Sequence, residues 1–488
     1  MTKLQKARRR SQEPSVKRDN RIPLGGRDPK TGKFVFSPSH TVPTAEAFVK
    51  QFYWHENLPT LICFAEILME WRDNRYVEVE DTAMKNRLQK WLHNALQYES
   101  NRRNATPELV EFPSNPTTVR AALESLKAWV HIPGTTPCPS WLKESKNQPP
   151  VDEVIACRSS LLHLPTMQQL PATPHFFSTC GLDFDHDADV PKPMNWYAFL
   201  HQLFDGDMES LELLQDWFGY CLTGDTSQQK MLLIVGPRRS GKGTIGRILR
   251  DLIGTDNVCG PTTSSLAGPF GLQPLIGKSL AIVSDARFRG HSTHTVIERL
   301  LCISGEDSIT VDRKHIASVT LKLPTRFMFL TNELPGMRDA SGALAGRFVI
   351  LRLTESFYGK EDHQLTDRLR AELQGILNWA IEGWHRLRER GHFVMPTNAQ
   401  EAVEEVADLG SPVSAFVKQM CDVGPEERVP VDNLYAAWRS WCERDGQKAT
   451  STKQTFGRDL KAAEPGVQRR RATGGHPFYE GISLQEGA

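Results

Sequence analysis

Short apolar runs closed by glycine or polar residues recur through the middle of the chain. They are KMLLIV ending at Val235, Leu280 to Val283, Phe327 to Leu330, and the run that follows Arg347. Unbroken runs of this length predict strands buried on both faces, as in a parallel sheet. The period changes after the first run. Ile245, Ile248, Leu249, Leu252 and Ile253 fall at i, i+3, i+4, i+7 and i+8, the apolar face of a helix that Gly254 stops. Upstream, MEWRDNRYVEVED predicts a hairpin turning at Asp73-Asn74, and DTAMKNRLQKWLHNAL and NPTTVRAALESLKAWVHIP predict helices. The Pro-rich SSLLHLPTMQQLPATPHFF reads as an extended boundary, and 195–225 as helical, ending at Gly224. Near the C-terminus, Leu434, Trp438, Trp441 and Cys442 share a helix face. STKQTFGRDLKAA gives a second helix with Ser451 as cap candidate, and VQRRRATGGHPFYEGISL gives a hairpin around Gly474-Gly475. Helix, helix, hairpin is a winged-helix order.

Length adds a division into domains, because 488 residues exceed one compact core. The pattern places a tail at 1–35, an α+β accessory domain at 36–170 and a helical linker at 171–225. A parallel α/β domain follows at 226–395, then a connecting helix at 396–410 and a C-terminal domain at 411–488. The formal charge is only +1, so contact with nucleic acid must come from local patches. Two exist. Residues 1–33 carry 11 Lys and Arg against 3 Asp and Glu, and residues 444–476 carry 8 against 3. The first reads as a solvated, disordered tail, with a DNA-binding arm as the alternative; the second suits DNA phosphates. The basic start is followed by no apolar core, so neither a secretory nor a twin-arginine signal is expected there. Its nine cysteines form no C-x-x-C pair, and no run is long enough to span a bilayer; a cytoplasmic protein without zinc is expected.

The chemistry centres on GPRRSGKGT, residues 236 to 244. Gly236, Pro237, Arg238, Arg239, Ser240 and Gly241 form a loop whose backbone N–H groups can close around phosphate oxygens. Lys242 reaches the β and γ phosphates, and the helix behind it aims its positive end at the anion. Gly243 stands where Ser or Thr usually binds Mg²⁺, so Thr244 is assigned that role. Asp285 closes the second buried strand and is the candidate acid for the magnesium shell and the attacking water. Asn332 closes the third, a candidate to touch the γ-phosphate. Arg347, ahead of the next strand, is a candidate to act on a neighbouring subunit's nucleotide. Between the second and third strands, SITV and SVTLKL alternate as a hairpin carrying Arg313, Lys314 and His315, which suit a single-stranded backbone. The acids of DFDHDADV, Asp183 to Asp189, read as a solvated loop: as a calcium loop they lack the required glycine and glutamate.

This succession of loop, acid-ended strand, SGEDSITVDRKH, LTNELP and SGALAGRF resembles the superfamily 3 helicases. It is most similar to the phage and plasmid primase-helicase family with a poxvirus-type C-terminal region. FFSTCGLDFDHDADVPKP, LLQDWFGYCLTGDTSQQKM and FGRDLKAAEPGV extend the resemblance over nearly all the chain beyond residue 45. The resemblance implies an AAA+-like P-loop NTPase core and a winged-helix domain. It implies an ATP- and Mg²⁺-dependent DNA helicase working as a homo-oligomeric ring, a hexamer, on single- and double-stranded DNA. Lys242, Asp285, Asn332 and Arg347 become catalytic, Thr244 and Asp285 metal-binding, and Lys314 and His315 the DNA grip. A replicative polymerase or primase is an expected partner, and a bacterial host with phage or mobile-element origin the expected setting. The residues ahead of the linker hold no acid pair for a two-metal primase site. Two other readings stay open: a DNA initiator that binds nucleotide without motor activity, and a phosphotransferase, because GKGT is also similar to the loop of adenylate kinases.

Overall fold

The computed structural model describes residues 21–100, 107–286, 288, 293–314, 316–334, 344–444, 452–471 and 475–485. Of the tail assigned to 1–35, residues 1–20 lie outside them, as do His315, Ser451 and Gly474, whereas 21–35 fold with the first compact unit, where Val35 is buried and bridges to Leu96. The chain divides into two compact units, one of residues 1–70 and 78–132, the other of 71–77 and 133–488. The first unit therefore closes at Ile132, and 133–170, assigned to it by sequence, fold with the second.

In the first unit, helices Val42–Phe52, Asp81–Leu92 and Pro116–Trp129 cover the antiparallel pair Leu61–Phe64 and Ile67–Arg72. Asn115 caps the third helix, its side chain accepting from the Thr117 and Thr118 amides. The expected hairpin turn at Asp73-Asn74 falls in the segment 71–77 that groups with the second unit; both residues have positive φ, the geometry that a two-residue hairpin loop requires. The core is aromatic: Phe36, Phe48 and Trp91 meet with centroids 4.9 and 5.1 Å apart.

The second unit is built on a parallel sheet. Its labelled elements are α1 (Met194–Phe204), α2 (Met208–Tyr220), β1 (Met231–Val235), α3 (Lys242–Ile253), β2 (Val258–Cys259), β3 (Leu280–Ser284), α4 (Thr293–Ser304), β4 (Arg326–Thr331), β5 (Phe348–Arg352) and α5 (Leu373–Arg390). The order is β2-β3-β4-β1-β5, and neighbouring strands pair parallel. Alternation along each strand supplies two cores. Leu232, Ile234, Met328, Leu330, Val349 and Leu351 face α1, α2, α3 and α5. Met231, Leu233, Val235, Phe327, Phe329 and Ile350 face α4. That is why these strands read as continuous apolar runs. The helices of 194–220, expected to form a linker, are part of the first of these cores: Trp196 and Trp217 are fully buried in it.

The Pro-rich stretch also departs from the extended boundary. Val154–Ala156, Ser160–His163 and Gln168–Pro171 form a three-stranded antiparallel sheet. Ile309–Arg313 and Ile316–Leu321 form the expected hairpin. Beyond the helix Gln400–Gly410 come helices Pro412–Met420, Val431–Arg444 and Lys453–Ala463. Thr452, one residue past the sequence candidate, caps the last, accepting from the Thr455 amide. Strand Pro477–Leu484 pairs with Gln468–Arg471 and, on its other edge, with Cys421–Pro430. The periodicity missed that last strand because Gly424-Pro425 interrupts it; the register shifts between Val423 and Arg428.

Candidate functional site

The glycine-rich loop leaves the carboxyl end of β1 and enters α3. Ligands of open α/β sheets gather at this edge. Two glycines have steric reasons to be there. A Cβ on Gly236 would stand 2.7 Å from the Leu353 carbonyl oxygen, and Gly241 holds φ +85°. The loop is folded around Lys242, which is 9% exposed. Its ammonium donates to the carbonyls of Gly236 and Pro237, both at 2.7 Å, and to Ser240 Oγ at 3.2 Å. Burial lowers its pKa below the ordinary lysine value, and the negative charge of Asp285 partly offsets this.

Asp285 follows β3 directly, with φ +51°, a left-handed conformation uncommon for a non-glycine residue and frequent at functional sites. Thr331 ends β4, its carbonyl accepting from the Gly236 amide at 3.3 Å, so Asn332 is the first residue past the strand beside the loop. Lys242, Asp285 and Asn332 thus gather at one sheet edge. Arg347 does not. It precedes β5 at the amino edge, where its guanidinium donates to Gln229 and, at 3.4 Å, to the Ser304 carbonyl.

The two residues expected at the metal differ in setting. Thr244 Oγ1 accepts from Arg247 at 3.0 Å and lines a cavity beside the loop that Asp285 does not line. Among the described residues no cluster of three His, Cys, Asp or Glu side chains is arranged for a metal. Magnesium with a triphosphate needs only one or two protein oxygens, so the single carboxylate of Asp285 beside Lys242 fits it.

On the hairpin, Lys314 is exposed, whereas Arg313 turns inward. Arg313 is 5% exposed and its guanidinium donates twice to the Ala317 carbonyl, fastening the two strands. It is therefore held within the hairpin, whereas the sequence reading assigned it to contact with a single strand. His315 lies outside the described residues. Two of the acids of DFDHDADV, expected in a solvated loop, are spent on structure: Asp183 pairs with Arg75 at 2.7 Å and Asp185 accepts from Ser159. In the C-terminal region, Arg469, Arg470 and Arg471 are exposed along one strand. No described helix is long and apolar enough to cross a membrane.

Sequence reasoning missed the wall opposite the loop. Ser356 Oγ donates to the Arg238 carbonyl at 2.8 Å and the Phe357 amide to the Arg239 carbonyl at 2.9 Å, strapping the segment after β5 onto the loop. No motif marks this segment.

Residues 234–347, which span the loop, the acid-ended strand and the hairpin, match a family of unknown function (DUF5906). Residues 411–474 match the poxvirus D5 protein-like family. Among solved structures, one of the apo NrS-1 C-terminal region is similar at 13% identity and a TM-score of 0.47, over 87% of this chain and 96% of that one. Another, of NrS-1 residues 305–718, gives 12% and 0.43 over 91% of this chain and 100% of that one. The match at 411–474 falls at the place where the sequence resembles a poxvirus-type C-terminal region.

Proposed function

We propose that the chain is an ATP-dependent DNA helicase of phage or plasmid replication. The observation that carries this reading is the loop between β1 and α3, wrapped around a buried lysine within the field of Asp285. Bound phosphates would replace the Gly236 and Pro237 carbonyls as partners of the Lys242 ammonium, and the loop amides would donate to the phosphate oxygens. Magnesium supplies charge neutralisation at the phosphates, held by Asp285 with Thr244 as the second candidate. Asp285 and Asn332 orient the attacking water. Arg347, at the opposite sheet edge from its own loop, is suited to a neighbour's nucleotide, and this favours a homo-oligomer, the hexameric ring of the resemblance.

DNA would meet Lys314 on the hairpin and the arginine strand 469–471 of a winged-helix-like region. Helix Val431–Arg444, helix Lys453–Ala463 and the strand pair support that architecture. A polymerase or primase would be its partner in the cytoplasm of a bacterial host. The test is ATP hydrolysis by the full chain, with and without single-stranded DNA, beside Lys242→Ala. Hydrolysis that rises with DNA and disappears in the variant is expected. Binding without hydrolysis under either condition would replace the motor with a nucleotide-holding initiator.

A further inference from the structure

The first unit carries exposed aromatic rings beside a basic turn, and no part of the nucleotide site uses them. Arg27 and Phe34 are antiparallel bridge partners that close this turn. Within it the Asp28 amide donates to the Lys33 carbonyl at 2.8 Å, and the Gly32 amide to the Asp28 carbonyl at 2.7 Å. Asp28 is the one acid of the turn, and it is spent inward. It is buried, and its carboxylate accepts from the Lys30 and Thr31 amides and, at 2.6 Å, from the Thr31 hydroxyl. Lys30 is left exposed and Lys33 half-buried.

From this turn a row of rings leads away. The Arg27 guanidinium lies over the Phe34 ring, 3.9 Å from its centroid. Phe34 meets Trp91 at 5.4 Å, and Trp91 meets Phe52 at 6.2 Å between centroids. Phe34 and Trp91 are half-buried, and Phe52 is 50% exposed. The row is held from beneath, because Trp91 also packs on the buried rings of Phe36 and Phe48. Its indole N–H donates to Gln51 Oε1 at 3.1 Å, which fixes the ring. A lone exposed ring is ordinary on a protein surface; a row of them ending in a guanidinium marks a binding face. Charge selects the occupant. The Ile22 amide donates to Tyr98 Oη at 2.8 Å where the chain enters this unit, and residues 1–20 bring seven Lys and Arg against two Asp and Glu to that point. Unpaired bases stack on aromatic rings or on a guanidinium plane while their phosphates meet cations. A duplex keeps its base faces hidden.

We propose that the first unit binds single-stranded DNA, with bases stacked on Arg27, Trp91 and Phe52 and phosphates against Lys30 and Lys33. This adds a DNA contact in a unit to which the helicase reading assigns none, and it needs no nucleotide on the glycine-rich loop.

Binding of oligo-dT, and of a duplex of the same length, to the full chain without ATP tests it. Each variant is made both in wild type and beside Lys314→Ala, which removes the single-strand contact proposed above. Phe52→Ala should weaken oligo-dT by roughly five- to a hundred-fold, the range for losing one base from an aromatic ring, and leave the salt slope unchanged. Phe52→Trp should keep the affinity. Lys30→Ala with Lys33→Ala should instead cut the salt slope by roughly 1.4, at about 0.7 for each phosphate contact. Arg27→Ala, at the other end of the row, should weaken oligo-dT as well, so the result does not hang on one variant. Duplex affinity should not respond to Phe52→Ala. An oligo-dT affinity unmoved by both Phe52→Ala and Arg27→Ala overturns the proposal, leaves the row to a protein partner, and leaves the contact at Lys314 standing. Equal losses for oligo-dT and duplex overturn it too, because stacking cannot act on hidden base faces. Tighter binding of oligo-U, lost in the same variants, would put RNA in place of DNA.

Discussion

Gly383→Ala should destabilise the second unit although it adds a good helix former to a helix. α2 and α5 cross where glycines face backbone on both sides. A Cβ on Gly383 would stand 2.2 Å from the Gln215 carbonyl oxygen, and one on Gly219 would stand 2.3 Å from the Trp384 amide nitrogen. Ordinary contact begins near 3.4 Å, so the helices must part by about 1.2 Å (3.4 − 2.2) at that point. Neither obstacle is a flexible side-chain end that can swing away. A gap of up to 1 Å forfeits roughly a quarter to a half of each dispersion contact. The affected contacts include those of Phe218 and Trp196 with Trp379, at centroid distances of 5.4 Å. Overpacking costs typically about 1–3 kcal/mol, and here the obstacle is backbone, which favours the upper end. The opposing gain in helix propensity is about 0.5–1 kcal/mol. The net is about 2 kcal/mol of destabilisation. In a domain of 150–250 residues each kcal/mol moves Tm by roughly 2–4 °C, and in a larger unit such as this by less, so a fall of a few degrees is expected. Scanning calorimetry of the full chain reads it, with Gly346→Ala, whose Cβ would meet nothing within 4 Å, as the control. An unchanged or higher Tm for Gly383→Ala would refute the close crossing.

Three further outcomes follow from the same structure. Glu153 accepts from His163 at 2.9 Å and pairs with Arg388; burial raises its pKa, but these two partners outweigh it and hold the carboxyl below the usual 4.5. The stability it contributes is present above that value and lost as pH falls through the lowered one, so the Tm gap between wild type and Glu153→Gln should close in acid; parallel curves would contradict the pairing. Arg469→Ala with Arg471→Ala should weaken duplex binding across sequences and cut the salt slope by roughly 2, and an unchanged slope would remove this strand from the DNA contact. Lys242→Ala and Arg347→Gln should each be inactive as ATPases, yet mixtures should regain part of the activity, because each copy would lend its intact half; no recovery would argue against an arginine acting between subunits.

The loop was legible in the sequence because its chemistry is local. Gly236, Gly241 and Lys242 sit within seven residues, and the strand before and helix after them each announce themselves by period. The hairpin turn at Asp73-Asn74 was legible for the same reason. Arg313 was misread because sequence gives its place near a turn but not its direction; only the fold turns its guanidinium back onto Ala317.

What the sequence determined by itself was therefore carried by near neighbours: the buried strands of the parallel sheet, the amphipathic helices, the glycine-rich loop ahead of α3 and the basic C-terminal strand. Only the tertiary structure decided which distant pieces meet. The strand order brings Asp285 and Asn332 to the edge where Lys242 lies, and sends Arg347 to the other. It also draws Trp196 and Trp217 into the sheet's core, and lays Phe357 against a loop more than a hundred residues upstream. Those outcomes depend on the packing of whole faces against one another. Packing acts between surfaces whose residues are far apart along the chain, and no short window of sequence contains both sides of it.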